Sequence, residues 1–467
     1  MTPLPPRVDV VVVGGGMAGL VAAWEHARAG RTVLVLEAGD DTGGAVARLD
    51  LDGLELDAGA ESFATATPAV GDLAAELGLA DRVVAPLPGG AWLRHGGGSA
   101  PLPAGGLLGI PAHPLSREVR RVVGPVGAAR AALDRVLPGR VGAAAPTLGG
   151  LVRRRMGALV VGRLVEPVAG GVYSTDPDVL ELDSAQPLLR PALLEHGSLS
   201  AAVRALRGGA GRPGSAVQGL AGGMWTLPRA LRRALESAGG LVRTGTAVTG
   251  LDPAPDGRWT VTTASGAVTA GRVVLAAPLS VTAALLAPRL PAAVLAAVPP
   301  PPQQDVALVT LVVDAPELDA APRGTGVLVA AHVTAVTAKA LTHASAKWPY
   351  LAAAAGPGRH VLRLSYGRAG RPAPADTELP DLARRDAAEL LGVELPAARV
   401  RAAALRRWTS ALPRPGVGHA AAVAALRAAL PPGIGVTGTG IAGTGLAAVV
   451  ADARREGVAV PGAGPGP

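Results

Sequence analysis

Apolar positions are densest near the start of the chain. Val8-Asp9-Val10-Val11-Val12-Val13 is a β-branched run that suits a strand buried on both faces. A glycine-rich turn follows, then an Ala-rich stretch over 17–29 with Gly30 as its stop. A second apolar run, Thr32-Val33-Leu34-Val35-Leu36, ends in Glu37. Strand, turn, helix and strand in that order predict a parallel βαβ unit. Residues 54–62 alternate like a short strand and break at Gly59, and 68–79 predicts a helix with Leu73 and Leu77 four apart. Residues 116–135 predict a helix interrupted at Gly124-Pro125, and 151–205 reads as helical in pieces. Leu227, Leu231 and Leu235 share one helix face after Pro228. Residues 241–248 predict a strand, and Asp256-Gly257 and Ser265-Gly266 predict hairpin turns flanking 259–263. A buried strand over 273–277, strands over 306–313 and 359–366, and an amphipathic helix over 378–392 come next. A strand ending near Gly438 and a helix from Thr444 to about Glu456 complete the pattern.

The first turn carries chemistry. In Gly14-Gly15-Gly16-Met17-Ala18-Gly19 the first glycine allows a tight turn, the second lets backbone approach a pyrophosphate, and the third packs helix on strand. The helix start supplies N–H groups and positive dipole for the anion, and Glu37 can accept hydrogen bonds from a ribose diol. The bare pattern recurs in a chain with 64 glycines. The copy at 209–214 has no strand before it and a proline inside it, so it reads as linker, with 207–219 a flexible joint. The copy at 438–443 has no second βαβ after it. Only the first has strand, turn, helix, strand and acid in order, which marks a dinucleotide site. Asp41-Thr42-Gly43-Gly44, just beyond the acid, offers further backbone to a phosphate chain. The helix start at Thr444 places a second positive end near the ligand, suited to the flavin edge that gains negative charge on reduction. One flavin and no nicotinamide domain is the reading, with electrons leaving to oxygen or another acceptor.

The three-stranded meander leading into the strand at 273–277 resumes the nucleotide unit some way along the chain, so that domain is discontinuous. At 467 residues two or three lobes are expected. The chain has no cysteine, so disulfides, thiolate metal sites and thiol redox chemistry are excluded. No apolar run predicts a membrane-spanning helix and residues 1–7 lack a signal-peptide core, so a cytoplasmic location is expected. The net charge of +8 comes from scattered basic residues with no nucleic-acid module, so no nucleic-acid partner is expected. A solvated basic surface, an anionic substrate or peripheral contact with an acidic membrane accounts for it. No histidine pair has metal spacing, and no metal site is expected.

Several segments together resemble one family. Val13-Gly14-Gly15-Gly16-Met17-Ala18-Gly19-Leu20, Gly59-Ala60-Glu61-Ser62-Phe63, Gly222-Gly223-Met224, Ser345-Ala346-Lys347-Trp348-Pro349, Leu362-Arg363-Leu364-Ser365 and Val417-Gly418-His419 are similar to the protoporphyrinogen/coproporphyrinogen III oxidases of haem biosynthesis. The likeness runs from about residue 8 to 456 and is greatest to the actinobacterial branch, which acts on coproporphyrinogen III.

The resemblance implies an α/β fold with α+β lobes attached. It comprises a discontinuous Rossmann-like FAD-binding domain of the p-hydroxybenzoate hydroxylase/amine oxidase type (7–85, 217–295 and 430–457), a mixed-sheet substrate-binding domain (86–100 and 296–429), a helical cap (101–216) and a flexible tail (458–467). It implies one non-covalent FAD held by Gly14, Gly15, Gly16, Met17, Ala18 and Gly19, by Glu37, Ala38, Gly43 and Gly44, and by Gly59, Ala60, Glu61 and Ser62. Val248 (through its backbone to adenine), Trp408, Thr439, Thr444, Gly445 and Leu446 complete the implied set. Coproporphyrinogen III or a related porphyrinogen is the implied substrate, O2 the acceptor, hydrogen peroxide the product, and ferrochelatase a candidate for hand-over.

The resemblance further implies that hydride leaves a methylene bridge for flavin N5, pushed by the pyrrole nitrogens, with aromatisation driving the reaction. No enzymic acid or nucleophile is assigned; position and an apolar slot suffice. Lys347 and Arg363 are the candidates for meeting substrate carboxylates, and His419 reads as a packed histidine. Ala66 departs from the Arg or Lys that many family members place there, and the segment 438–442 is smaller than the usual aromatic-bearing version. Protoporphyrinogen IX oxidase, an amine oxidase and a carotenoid-type desaturase are the enzyme alternatives, and lack of cysteine removes a thioether-linked flavin. A binding protein like the Rab GDP-dissociation inhibitors is the non-enzyme alternative, opposed by the intact glycines and Glu37.

Overall fold

The computed structural model describes residues 3–173, 175–207, 217–297, 305–368, 370–408 and 416–458. Strand β1 (Arg7–Val13) lies between two parallel neighbours, β2 (Val33–Leu36) and the strand Gly266–Leu275. Val10 to Val13 and all of β2 are buried, as a β-branched run covered on both faces requires. Leu241–Arg243 extends the sheet beyond β2. On the other side Ile434–Val436 pairs in parallel with the end of Gly266–Leu275, placing Val436 beside Leu275. Trp259–Thr263 and Val248–Pro253 continue Gly266–Leu275 as an antiparallel meander. The last meander strand and the predicted buried strand are therefore one continuous element.

Helix α1 (Met17–Arg28), the helix Thr226–Ser237 and the helix Leu446–Val458 cover one face of this sheet. Leu20, Trp24, Leu227, Leu231, Leu235, Val449 and Val450 close that core. The triplet Leu227, Leu231 and Leu235 is buried as its spacing predicts. Helix α2 (Ala69–Glu76) is shorter than the predicted 68–79.

A second sheet runs in the order Val400–Trp408, Val306–Asp314, Arg359–Tyr366, Ala340–His343, Gly326–Val329, Ala91–His95, Gly98–Pro101. All its pairings are antiparallel except that of Gly326–Val329 with Ala91–His95, so the sheet is mixed. Helix Leu379–Leu391 packs on it through Leu379, Ala383, Ala387 and Leu390.

Between residues 117 and 207 the chain is helical, with its own core of Val122, Leu148, Leu151, Met156, Leu193 and Val203. The helix Arg117–Ala132 turns at Gly124, whose φ of 77° breaks it where the Gly-Pro pair predicts. Ser116 caps it by accepting from the Val119 N–H. Arg155 and Asp134 are wholly buried and paired. Asp134 also accepts from the Leu199 and Ser200 N–H groups at 2.9 and 2.8 Å. Arg155 donates to the carbonyls of Pro138 and Val141, each at 3.0 Å, so every charge in this knot is satisfied.

Two expectations are corrected. The predicted strand 241–248 breaks after Arg243, and a separate strand starts at Val248. Gly245 has φ 60°, and its N–H donates to Gly39 O while Thr246 N–H donates to Glu37 O. The chain leaves the sheet to satisfy the loop after β2. Of the expected joint 207–219, residues 208–216 lie outside the described residues, but Val217–Leu220 is a strand between Phe63–Ala64 and Val83–Val84. The glycine copy at 209–214, the proline run 299–302 and the tail from 459 also lie outside the described residues. No helix among the described residues is long and apolar enough to cross a membrane.

Candidate functional site

The glycine turn sits where β1 and the strand Gly266–Leu275 both end. Gly14 has φ 104°, and a Cβ there would lie 2.9 Å from the carbonyl carbon of Ala276. A Cβ on Gly19 would lie 1.9 Å from Gly14 O, so only glycine lets α1 approach the strand. Gly16 is different. A Cβ there would meet nothing within 4 Å, and its φ of −68° and ψ of 178° suit any residue. The open space beside Gly16 is thus not demanded by packing. No side chain caps α1, which leaves the N–H groups of its first turn for an anion. Met17 and Ala18 are buried, so their backbones alone can serve a ligand.

Glu37 reaches back into this turn. Its Oε2 accepts the Gly15 N–H and its Oε1 accepts the Gly39 N–H at 2.7 Å. A carboxylate has about four lone-pair sites, so one on each oxygen remains for a diol. Gly43 N–H donates to Gly15 O at 2.9 Å, which places the 41–44 turn against the glycine turn. Ala38 and Gly44 are exposed beside it. Val248 is half-buried at the start of its strand, paired with Thr263.

At the far end, Thr439–Ala442 is a short helix, and Gly443 and Gly445 flank Thr444 before the helix that starts at Leu446. Thr439 is exposed. The buried Oγ1 of Thr444 has no hydrogen-bond partner. An orphan hydroxyl at one helix start and, at another, space beside Gly16 that packing does not require are the features that a flavin dinucleotide would satisfy, and the residues present fit that group.

Gly59, Ala60, Glu61 and Ser62 connect the short strands Leu54–Asp57 and Phe63–Ala64 and are tied to the second sheet by Trp408 and Arg363. Trp408 Nε1 donates to Ala58 O at 3.2 Å, and its ring lies against Gly59. Arg363 donates to Gly59 O at 2.6 Å and to Glu61 Oε2 at 2.8 Å. Lys347 Nζ donates to Glu61 Oε1 at 2.6 Å and sits 4.9 Å from the Trp348 ring centre. Lys347 and Arg363, the candidates for substrate carboxylates, lie together, and both form ion pairs with Glu61. Burial pushes the Glu61 carboxyl up, but Lys347 and Arg363 outweigh it and hold it down at about 2.

Several neighbours of this set carry little chemical signal of their own in the sequence. Asp57 is buried and accepts from the Met224 and Trp225 N–H groups at 3.1 and 2.9 Å. Burial pushes its carboxyl up to about 6 against those donors. Tyr350 stacks on Trp348, and burial followed by Asp57 and Glu61 raises its phenol. Behind Lys347, His343 Nε2 and His360 Nδ1 are 3.0 Å apart, with Ser345 Oγ 3.3 Å from the same His360 nitrogen. His360 Nε2 faces Asp319 at 3.1 Å. Burial, with His360 beside it, pushes His343 down to about 3. Histidine in a strand and serine at a helix start are ordinary choices, so only the Ser-Ala-Lys-Trp-Pro segment pointed here.

Ala66 is exposed on a groove of about 520 Å³, lined also by Thr67, Asp72, Glu76, Thr444 and Arg454. His419 is buried in the first turn of helix His419–Ala429, where burial lowers its pKa. No set of three or more metal-ligating side chains gathers among the described residues.

Residues 17–460 match the model of the flavin containing amine oxidoreductase family. The coproporphyrinogen III oxidase of Mycobacterium tuberculosis (strain ATCC 25618 / H37Rv) is 34% identical over 452 residues, covering 93% of each chain. The chain belongs to the coproporphyrinogen/protoporphyrinogen oxidase family. The Bacillus subtilis coproporphyrinogen III oxidase is 28% identical over 453 residues, with 92% of this chain and 93% of that one covered. A crystal structure from Exiguobacterium sp. 255-15, provisionally named a protoporphyrinogen oxidase, superposes with a TM-score of 0.83 at 26% identity over 98% of this chain and 99% of that one. As a member of this family the chain is an oxidoreductase of flavin type.

Proposed function

We propose that the protein binds one FAD non-covalently and oxidises coproporphyrinogen III to coproporphyrin III, with O2 as acceptor and hydrogen peroxide as product. The observation that carries this reading is the glycine cradle at Gly16, where a Cβ would meet no protein atom within 4 Å, in a chain similar across almost its whole length to coproporphyrinogen III oxidases. FAD, when bound, supplies a two-electron acceptor for hydride from the methylene bridge.

The protein's own residues do the rest. The first-turn N–H groups of α1 hold the pyrophosphate, and the spare lone pairs of Glu37 take the ribose diol. The Thr444 hydroxyl and the N-terminal end of the helix Leu446–Val458 face negative charge on the flavin. Gly59 to Ser62, braced by Trp408 and Arg363, form a wall of the slot. The first sheet with 7–85, 217–295 and 430–457 serves as the FAD-binding part. Residues 86–100 and 296–429 serve the substrate, and 101–216 cap it.

The location we propose is cytoplasmic with peripheral membrane contact. Leu115, Val126, Leu133, Val136 and Leu159 are exposed apolar side chains, Val126 and Val136 at 79% and 77%. Arg117, Arg120, Arg121, Arg135, Arg140 and Arg154 are exposed among them in sequence. Apolar side chains set among cations suit an anionic lipid surface. Product would pass to ferrochelatase.

The test is anaerobic. Coproporphyrinogen III is added to FAD-loaded protein while flavin absorbance is followed, and air is then admitted while porphyrin fluorescence and peroxide are read. Bleaching followed by coproporphyrin and peroxide is the expected result. A flavin that stays oxidised with both coproporphyrinogen and protoporphyrinogen overturns the reading.

A further inference from the structure

Among the 44 basic residues, only Lys339 and Lys347 are lysine. Lys347 is thus a position where a compact ammonium stands in a chain that otherwise uses guanidinium. It lies in a set drawn from three separate segments: Glu61 comes from 59–62, Lys347 from the short helix Ala344–Lys347, and Arg363 from the strand Arg359–Tyr366. All three side chains are at most 16% exposed, so solvent screens their charges poorly. Arg363 and Trp408 also pin the backbone at Gly59 and Ala58, which fixes the turn against the second sheet.

We infer that Glu61, Lys347 and Arg363 act as one charge set whose balance tunes the reduction potential of the bound flavin. This rests on the FAD reading above, which assigns the 59–62 turn to the flavin. Reduction adds negative charge to the cofactor, so each added positive charge in the set favours the reduced form and each removed one disfavours it. Two cations share one carboxylate, and the set alone carries a net positive charge. Asp57 interacts electrostatically with both Arg363 and Glu61, and it offsets that charge where it is ionised. The changes below alter the balance by one unit whatever the state of Asp57. The residues are positioning and electrostatic groups, with no bond made or broken on them.

The experiment measures the two-electron midpoint potential of FAD-loaded protein against reference dyes. The wild type comes first: failure to take up FAD would sink the cofactor reading itself, separately from this inference. Glu61→Gln is expected to raise the potential and Lys347→Met to lower it, each by about tenfold in the reduction equilibrium, ~30 mV for a two-electron couple. Lys347→Arg keeps the charge and is expected to hold the wild-type value. A merely structural brace predicts no such opposition of sign. Equal potentials in all variants, or Glu61→Gln and Lys347→Met moving the same way, overturn the inference. Where Glu61→Gln takes up no flavin, Lys347→Met against Lys347→Arg decides it: a lower potential in the first supports the charge set, and equal values overturn it.

Discussion

Replacing Gly16 by alanine separates what the fold needs from what the ligand needs. The backbone at Gly16 is extended and the space around a Cβ is open to 4 Å, so the ligand-free fold has no steric reason to reject alanine. Loss of glycine's freedom in the unfolded chain stabilises by about 0.4–1 kcal/mol. Alanine as a helix N-cap gives back a few tenths or more of this. The net change in ligand-free stability is therefore about 0.5 kcal/mol or less. The cofactor sees a different cost. The methyl projects about 1.5 Å from the backbone, into the place where, on the proposed assignment, phosphate oxygens would approach the N–H groups. One or two charge-assisted hydrogen bonds at roughly 1.5–3 kcal/mol each are lost or stretched. That sums to roughly 2–6 kcal/mol, or about 30-fold to 10⁴-fold in affinity. The assay pairs FAD titration by fluorescence with thermal unfolding of the ligand-free protein. Gly19→Ala is the contrast: with its Cβ 1.9 Å from Gly14 O it must damage the fold and the binding together. A Gly16→Ala protein that folds normally and binds FAD as tightly as wild type refutes the assignment of the cradle.

Further outcomes follow from the buried charges and the basic face. His343 stays neutral in the folded protein to about pH 3 but takes a proton near 6.5 once unfolded, so folded stability falls as pH drops below 6.5. Between pH 6.5 and 4.5 the wild type should lose about 2 kcal/mol more than His343→Gln, read from urea unfolding at each pH; parallel curves would exclude it. Asp134→Ala leaves Arg155 buried and unpaired and should cost about 3–5 kcal/mol. Asp178→Ala, which removes the exposed Arg153 pair, should cost about 1 kcal/mol or less by the same thermal assay. Vesicles containing anionic lipid should sediment the protein while neutral vesicles do not, and Leu133→Asp with Val136→Asp should abolish this; sedimentation unaffected by the pair would remove the proposed membrane face.

Legibility along the chain tracked the range of the interactions. The βαβ unit was readable because its signals are local: a β-branched run, glycines at fixed offsets and an acid at the end of β2. The triplet of leucines at 227, 231 and 235 was readable for the same reason. The strand at 241–248 was misread because its break serves a distant loop, through bonds from Gly245 and Thr246 to Gly39 and Glu37. The pairing of Glu61 was out of reach. Its partners lie 286 and 302 residues away, and neither Lys347 nor Arg363 signals in sequence that it is already occupied. Asp57 shows the same limit from the other side, since an alternating Leu-Glu-Leu-Asp does not reveal which acid turns inward.

The order in which the first sheet is assembled bears on how the protein is made. Its central strands are complete once the ribosome has passed residue 275, but the parallel edge at Ile434–Val436 and the helix packed on α1 are synthesised much later. That late helix fits so closely that a Cβ on Gly457 would lie 2.4 Å from Glu25 Cβ. Until it emerges, the part of α1 around Glu25 that this helix covers and the Thr444 end of the cradle lack their partner. The nascent chain must hold an open sheet edge while five of the seven strands of the second sheet are made, a state prone to self-association. Flavin capture then belongs to the last stage of maturation, and available cofactor and chaperones at chain release should govern the yield of active protein.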